Sequence, residues 1–130
     1  MSQILPTSVW FWLLFFSAAA LGGILRFWLT NLVSRKLGMA LPWGTLLVNC
    51  SGAMALGFLA ARVAGAEQAQ LVWLVLGIGF LGAYTTVSSF SLQTLSLWQA
   101  GRRQRALLNV ILTLLLGMAS VTLGFYWGQE

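Results

Sequence analysis

The chain has 130 residues, of which 59% are hydrophobic and 7% are charged, and its mean hydropathy is +0.87. Soluble globular domains carry about a quarter charged residues, so this composition excludes an ordinary soluble domain and indicates a membrane protein. The net charge of +5 comes mostly from basic residues in short connections, where they govern membrane orientation, and we expect no nucleic-acid partner.

Four apolar stretches predict four membrane-spanning helices, since each is near or above the ~20 residues that a spanning helix needs. They cover residues 9–28, 42–64, 71–98 and 106–127. Aromatic residues that prefer the headgroup level lie near the ends of these stretches and support the boundaries. The sequence therefore predicts an all-α, multi-pass membrane protein with a single domain over residues 1–130.

The first stretch resembles a secretory signal peptide, because residues 17–20 are small and follow an apolar run. A signal peptide begins with a basic segment, however, and no Lys or Arg precedes Trp10, so we expect a retained helix. Arg26 lies one turn inside the boundary that Trp28 marks. It can reach the interface by snorkelling, or it can concentrate anions at a vestibule, and the residues leave both roles open.

The first and third connections must face the same compartment, and they carry five of the seven basic residues. These are Arg35, Lys36, Arg102, Arg103 and Arg105. The second connection carries Glu67. The positive-inside rule therefore predicts that a single molecule has both termini outside. The lone Cys50 lies within the second stretch and cannot form an intrachain disulfide.

Polar side chains at helical spacing mark one face of the second stretch and one face of the fourth. The second has Thr45, Asn49, Gly52 and Leu56, and the fourth has Asn109, Thr113, Gly117, Ser120 and Gly124. Asn49 is the strongest single candidate for function, because its amide offers two N–H donors and an unpaired amide in hydrocarbon is costly. Small and hydroxyl residues also form ordinary helix-packing faces, so both roles remain open for the fourth stretch.

The third stretch holds a hydroxyl-rich segment, residues 82–91, in the middle of apolar sequence. Lipid cannot satisfy such groups, and they are tolerated where the backbone departs from a helix and lines an enclosed or watery path. We therefore predict that the third helix is broken here and that a polar species crosses the membrane at the break.

Catalysis finds little support in the residues, and we expect no enzyme. Gly77-x-Gly79-x-x-Gly82 matches the dinucleotide fingerprint, but the strand and the acidic residue that this motif requires are missing. The chain has no His and no Asp, and its two Glu residues lie outside the predicted spans. Proton-coupled carriers usually use an ionisable group within a helix, so passive conduction is favoured. Hydroxyl and amide donors without carboxylates indicate an anion.

Three motifs, in order and covering most of the chain, resemble those of the Fluc fluoride channels, also called CrcB proteins. They are Gly22-x-x-x-Arg26, Gly44-Thr45-Leu46-x-Val48-Asn49-x-x-Gly52 and Gly82-x-x-Thr85-Thr86-x-Ser88-x-Phe90-Ser91. The resemblance implies a fluoride-selective channel of the bacterial inner membrane that exports fluoride passively. It also implies a dual-topology protein, assembled as an antiparallel homodimer in membrane lipid with two pathways along the subunit interface.

The same resemblance implies roles for individual residues. Asn49 would donate to the ion, and Phe90 would present the electropositive edge of its ring. Other pathway residues would be Thr86, Ser88, Ser89, Thr113 and Arg26. Backbone carbonyls of Gly82 and Thr85 from both subunits would hold a structural sodium ion.

Three positions depart from the pattern of the family. Val87 stands where the first of two phenylalanines is usual, Asn109 stands where a tyrosine is common, and residues 18–19 are alanines in place of paired glycines. The distribution of basic residues among the loops also departs from what the resemblance implies. A protein that inserts in both orientations should have nearly equal positive charge on the two sides of the membrane. Either the bias is overridden at assembly, or a partner chain of opposite orientation exists.

Two rival functions follow from the same architecture. A small proton-coupled multidrug exporter has a similar size and helix count, but it needs a carboxylate within the membrane. A non-conducting subunit of a membrane assembly has no use for the hydroxyl-rich segment. The residues therefore favour a passive anion channel over both, and the resemblance implies that the anion is fluoride.

Overall fold

A computed structural model describes residues 8–66 and 69–130, and the predicted loop residue Glu67 lies outside this range. The described residues form four long helices, α1 (Val9–Leu37), α2 (Trp43–Val63), α3 (Ala69–Gln99) and α4 (Arg103–Gln129). All four are long and apolar enough to cross a membrane. The prediction of an all-helical chain with four candidate spans is confirmed.

The ends of α1 are fixed by local hydrogen bonds. Ser8 caps the first turn by accepting a 3.2 Å hydrogen bond from the Phe11 N–H. At the other end, Gly38 adopts a positive φ of 80° and donates its N–H to the Ser34 carbonyl, which closes the last turn. Nothing between Trp28 and Gly38 breaks the helix, so α1 continues past the predicted span. Arg26 therefore lies in the interior of α1.

The third helix is interrupted near its middle. Thr85 (φ −82°, ψ 158°) and Thr86 (φ −150°, ψ 120°) are extended, and a second helical segment, Val87–Gln99, begins after them. The predicted departure from helix thus falls at these two threonines, and we call them the break. The half of α3 before the break contains a π-helical stretch, Trp73–Leu81. Such stretches are rare and are often found at functional sites.

Close backbone approach at glycines holds α2 against α4. A Cβ at Gly57 would collide with the Val121 carbonyl, and one at Gly124 would collide with the Met54 carbonyl. Small residues let membrane helices pack closely where no hydrophobic driving force exists between them. The contact between α2 and α4 is the most extensive in the described chain.

Helix α1 packs against the first half of α3 and against α2. A Cβ at Gly22 would collide with the Phe80 carbonyl, so α1 and α3 touch backbone to backbone. Gly44 brings α2 equally close to Thr30 of α1. Within the described residues, α1 makes no contact with α4 or with the second half of α3. The break lies where α1 and α2 both reach α3, through Arg26 and Asn49.

Few side chains are fully buried in this fold. The core consists of Val48, Leu81 and Tyr84, and most large apolar side chains on the four helices are exposed. Exposed apolar surface of this extent is expected of helices that face lipid or another chain.

Candidate functional site

Asn49 binds the break through both ends of its amide. Its Nδ2 donates to the Thr86 carbonyl at 2.9 Å, and its Oδ1 accepts from the Thr86 N–H at 2.8 Å. An extended residue within a helix leaves its backbone donor and acceptor without helical partners, and both must be satisfied in a membrane. Asn49 thus supplies the pairing that a neighbouring strand would give. The predicted candidate lies at the break, and it holds the backbone there.

Hydroxyl groups cap the helical segment that follows the break. Thr86 is its N-cap residue, and Thr86 Oγ1 accepts from the Ser89 N–H at 3.2 Å. The same oxygen lies 3.1 Å from Ser88 Oγ and donates to Ser89 Oγ at 3.2 Å. The first turn contains no acidic residue, so the positive end of the helix dipole at the break is not neutralised by a side chain. The site favours negative charge.

Arg26 brings a positive charge to the same place. Its Nη1 donates to the Thr85 carbonyl at 3.5 Å, a long contact between α1 and the break. The side chain is half-buried and directed at Thr85, whereas snorkelling would direct it to the end of α1. Of the two roles that the sequence left open, the geometry favours a charge at the break. A guanidinium in a partly buried site raises the local concentration of anions.

The Gly82 carbonyl, near the end of the first half of α3, is available for other partners. The Thr86 N–H is bonded to Asn49, so it does not close a helical turn onto the Gly82 carbonyl. None of the backbone hydrogen bonds that join the described residues outside regular helices ends at that carbonyl. Gly82 is exposed, and a Cβ there would meet only the Gly77 carbonyl, at 3.9 Å. Intrachain packing therefore does not require a glycine at this position.

The aromatic candidate Phe90 lies one turn beyond the break and is half-buried. It lines a groove of about 490 Å³ between the second half of α3 and α4. The other lining residues are Ser91, Thr94, Leu95, Trp98 and Val110. Val87 is 77% exposed and points away from the chain's own packing, and Ser88 is exposed as well. The structure thus places Phe90 and Ser88 near the break on accessible surface.

The polar face predicted on α4 divides into two parts. Asn109 is 2% exposed, and its Nδ2 donates to Thr94 Oγ1 at 2.8 Å, so it joins α4 to the second half of α3. Thr113, one turn further along, is half-buried. Gly124, at the far end, packs against Met54 of α2. The far end of this face is a helix-packing surface against α2, and its first part joins α4 to the second half of α3.

Two further hydroxyl groups lie in this region, of which Tyr84 belongs to the predicted hydroxyl-rich segment and Ser51 was not singled out by the sequence. Ser51 Oγ and Tyr84 Oη form a 2.8 Å hydrogen bond between α2 and the turn before the break. The Tyr84 ring stacks on Phe80 with centroids 6.1 Å apart. The spacing of Ser51, two residues after Asn49 and off its helical face, gave no signal. Tyr84 directly precedes the break and was the clue available.

The chain is similar to known proteins over most of its length. Residues 13–125 match the family described as CrcB-like protein, Camphor Resistance (CrcB). It is 47% identical over 107 residues to fluoride-specific ion channel FluC 2 of Rhodopseudomonas palustris (strain BisB18), covering 80% of this chain and 82% of that one. It is 40% identical over 122 residues to fluoride-specific ion channel FluC of Coxiella burnetii (strain Dugway 5J108-111), covering 91% and 97%.

Proposed function

This chain belongs to the CrcB-like protein family, and on that premise we propose that it is a fluoride-selective channel. The observation that carries the proposal is the Asn49-held break, which gathers N–H and hydroxyl donors and the Arg26 guanidinium at one place. No His or Asp is present to take part in proton coupling. Donors without carboxylates suit a small anion that is held by hydrogen bonds.

The proposed pathway uses groups that the internal hydrogen bonds leave free. Asn49 Nδ2 carries two hydrogens, of which the Thr86 carbonyl takes one, so the second can donate to fluoride. Ser88 and Ser89 add hydroxyl donors, and Phe90 adds the positive edge of its ring. Thr86, Thr113 and Arg26 complete the set, with Arg26 as an attracting charge rather than a ligand.

Assembly as an antiparallel homodimer would complete this pathway. Gly82, Val87 and Ser88 are exposed around the break, so an isolated chain would present polar backbone to lipid. Each unsatisfied backbone group in hydrocarbon costs several kcal/mol, which favours cover by a second copy. Antiparallel copies bring two breaks together near the bilayer midplane, and they give the dimer two equivalent pathways of opposite direction.

A structural sodium ion fits the carbonyl groups before the break. The Gly82 carbonyl is available for a partner, and carbonyl oxygens from two copies suit a hard cation without carboxylates. The Thr85 carbonyl already accepts from Arg26 Nη1 at 3.5 Å, a distance that leaves room for a stronger partner. Sodium would supply charge neutralisation between the two breaks. Residues of this chain would hold it, and fluoride would pass elsewhere.

The proposed direction of transport is outward across the bacterial inner membrane. In an acidic medium fluoride enters as neutral HF and dissociates inside, and the membrane potential then drives the anion out. This needs no coupling ion and no carboxylate. The rival multidrug exporter needs both, and a non-conducting assembly subunit would leave the donors at the break without a use.

Growth of a bacterial strain that lacks its own fluoride exporter tests this function. We expect the chain to restore growth in fluoride at acidic pH and to give no protection against lipophilic cationic dyes. Protection against dyes without protection against fluoride would support the multidrug exporter. Protection against neither, with the protein present in the membrane, would contradict a channel function.

A further inference from the structure

The start of α4 is the most strongly charged surface of the described chain. Arg102, Arg103 and Arg105 are all exposed, and they stand together within four residues. Helix α4 has 27 residues, so it is about 40 Å long, which matches a bilayer with its headgroup regions. The three guanidinium groups therefore lie at the depth of lipid headgroups. We call residues 102–105 the arginine segment.

An aromatic contact holds one of these arginines in place. The Arg103 guanidinium carbon lies 5.1 Å from the centre of the Trp98 ring, a cation–π contact between the start of α4 and the end of α3. Trp98 is 53% exposed, and Leu95, one turn earlier, is 50% exposed. Tryptophan prefers the membrane interface, so the contact fixes the arginine directly above apolar surface that faces lipid.

The local electrostatics call for an anion at this position. The first turn of α4 has no acidic residue, and no side chain caps its N–H groups. Cations at the positive end of a helix dipole are unfavourable unless a negative group is added. The chain has only two carboxylate side chains, Glu67 before α3 and Glu130 after α4, and the chain order places both at the opposite ends of these helices. No intrachain carboxylate can neutralise the arginine segment.

We propose that the arginine segment binds the phosphodiester headgroup of an anionic phospholipid, with the acyl chains against Leu95 and Trp98. A phosphodiester presents two oxygens that match the fork of a guanidinium, and the adjoining apolar surface distinguishes a lipid from free phosphate. The arginines that would hold the headgroup are not among the residues of the proposed ion pathway, and Leu95 and Trp98 share a groove with the pathway residue Phe90. In an antiparallel dimer the site would occur once on each face of the membrane. Because anionic lipid would then meet the basic loop on either face, the charge bias of the loops is compatible with two orientations.

Native mass spectrometry of the purified protein tests this site, with phosphatidylglycerol or phosphatidylcholine added at matched amounts. We expect the protein to retain phosphatidylglycerol preferentially. The R102Q/R103Q/R105Q variant should lose at least about tenfold of that preference, since each cation near an anionic surface contributes severalfold to binding. The matched control is R35Q/K36Q, which removes exposed cations on the same face that have no tryptophan partner, and it should retain the preference.

Three outcomes would overturn the proposal. An equal preference for phosphatidylglycerol in the triple variant and in the control would show that the arginine segment is not a specific site and that general charge attraction suffices. If inorganic phosphate stabilised the protein as much as phosphatidylglycerol does, the site would be assigned to a free anion. Loss of the preference in Glu130→Gln would assign the arginines to pairing with a carboxylate of a second copy. Should the triple variant not assemble, Arg103→Gln and Trp98→Leu, measured singly, supply the same comparison, each with a smaller expected loss.

Discussion

Asn49 holds the break, and in the proposed function the same side chain also donates to the permeant ion. Its amide oxygen and one amide hydrogen hold the backbone of Thr86, and the second hydrogen remains for the permeant ion. Holding the backbone has the larger effect on free energy. Leaving a backbone group unpaired within a membrane costs more free energy than a single hydrogen bond contributes. The proposed donor to the ion therefore belongs to the same amide that holds the backbone of the break.

Substitution of Asn49 by Asp separates these tasks. An aspartate accepts from the Thr86 N–H, but it has no hydrogen for the Thr86 carbonyl or for an anion, and it adds repulsive charge. We expect fluoride flux through liposomes to fall at least about tenfold, since the lost donor and the unpaired carbonyl cost about 1–3 kcal/mol. Asn31→Asp is the matched control, because Asn31 is exposed on α1.

Flux in Asn49→Asp equal to that of the wild type would contradict the assignment of Asn49 to the pathway. A comparable loss in Asn31→Asp would show that added negative charge alone is responsible. Retention of the assembled protein on a sizing column distinguishes a closed pathway from a chain that does not fold.

Sequence reasoning found Asn49 but not its partner. A polar amide in apolar sequence is a strong local signal, because few functions justify its burial. The Thr86 backbone that it binds lies 37 residues away and depends on the approach of α2 to the break. Backbone partners have no side-chain signature, so the dual hydrogen bond could not be read from residue types. Arg26 was ambiguous for a similar reason, since its direction depends on how far α1 continues.

At the scale of elements, α3 combines three local conformations in one membrane crossing. The position of α3 was predictable from hydropathy, and the position of the break was predictable from the hydroxyl side chains of residues 82–91. The π-helical stretch before the break was not predicted, because its apolar residues and glycines fit an ordinary helix equally well. One of its hydrogen bonds runs from the Gly82 N–H to the Gly77 carbonyl. The widened turns end at Gly82, three residues before the break.

Contacts between helices depend on glycines in a way that a single methyl group can test. A Cβ at Gly57 would meet the Val121 carbonyl and the Phe125 amide nitrogen, both of them backbone atoms that cannot rotate away. A Cβ at Gly117 would meet nothing within 4 Å in the described chain. We expect Gly57→Ala to lower the free energy of unfolding by about 1–3 kcal/mol, as overpacking does.

The control Gly117→Ala should leave stability equal or higher, because alanine is the better helix former. Denaturation by detergent titration, followed by tryptophan fluorescence, measures both variants. Equal losses in the two variants would contradict the packing argument and would indicate that something outside the chain covers Gly117.

At the scale of the whole molecule, the proposed assembly rests on what one chain leaves uncovered. Its core is small, exposed residues flank its break, and its basic loops share one side. Composition and hydropathy were sufficient to predict the number of helices. They could not predict the assembly, because the residues that would meet a second copy look the same as residues that meet lipid.

Labelling of the third connection tests the proposed dual topology. A cysteine at exposed Gln104, in a Cys50→Ser background, should react to about half with a membrane-impermeant thiol reagent in intact cells, because half of the copies would face outward. Permeabilised cells provide the control for complete reaction. Labelling near zero or near completion, with fluoride flux intact, would contradict an antiparallel homodimer and would indicate a partner chain or another assembly.

Fluoride efflux from liposomes that contain only the purified protein tests the central claim most directly. The account predicts rapid electrogenic efflux of fluoride that needs no proton gradient and no second protein, with no comparable efflux of chloride from matched liposomes. Absence of fluoride efflux from liposomes that hold the folded, assembled protein would contradict it, as would efflux that depends on a proton gradient.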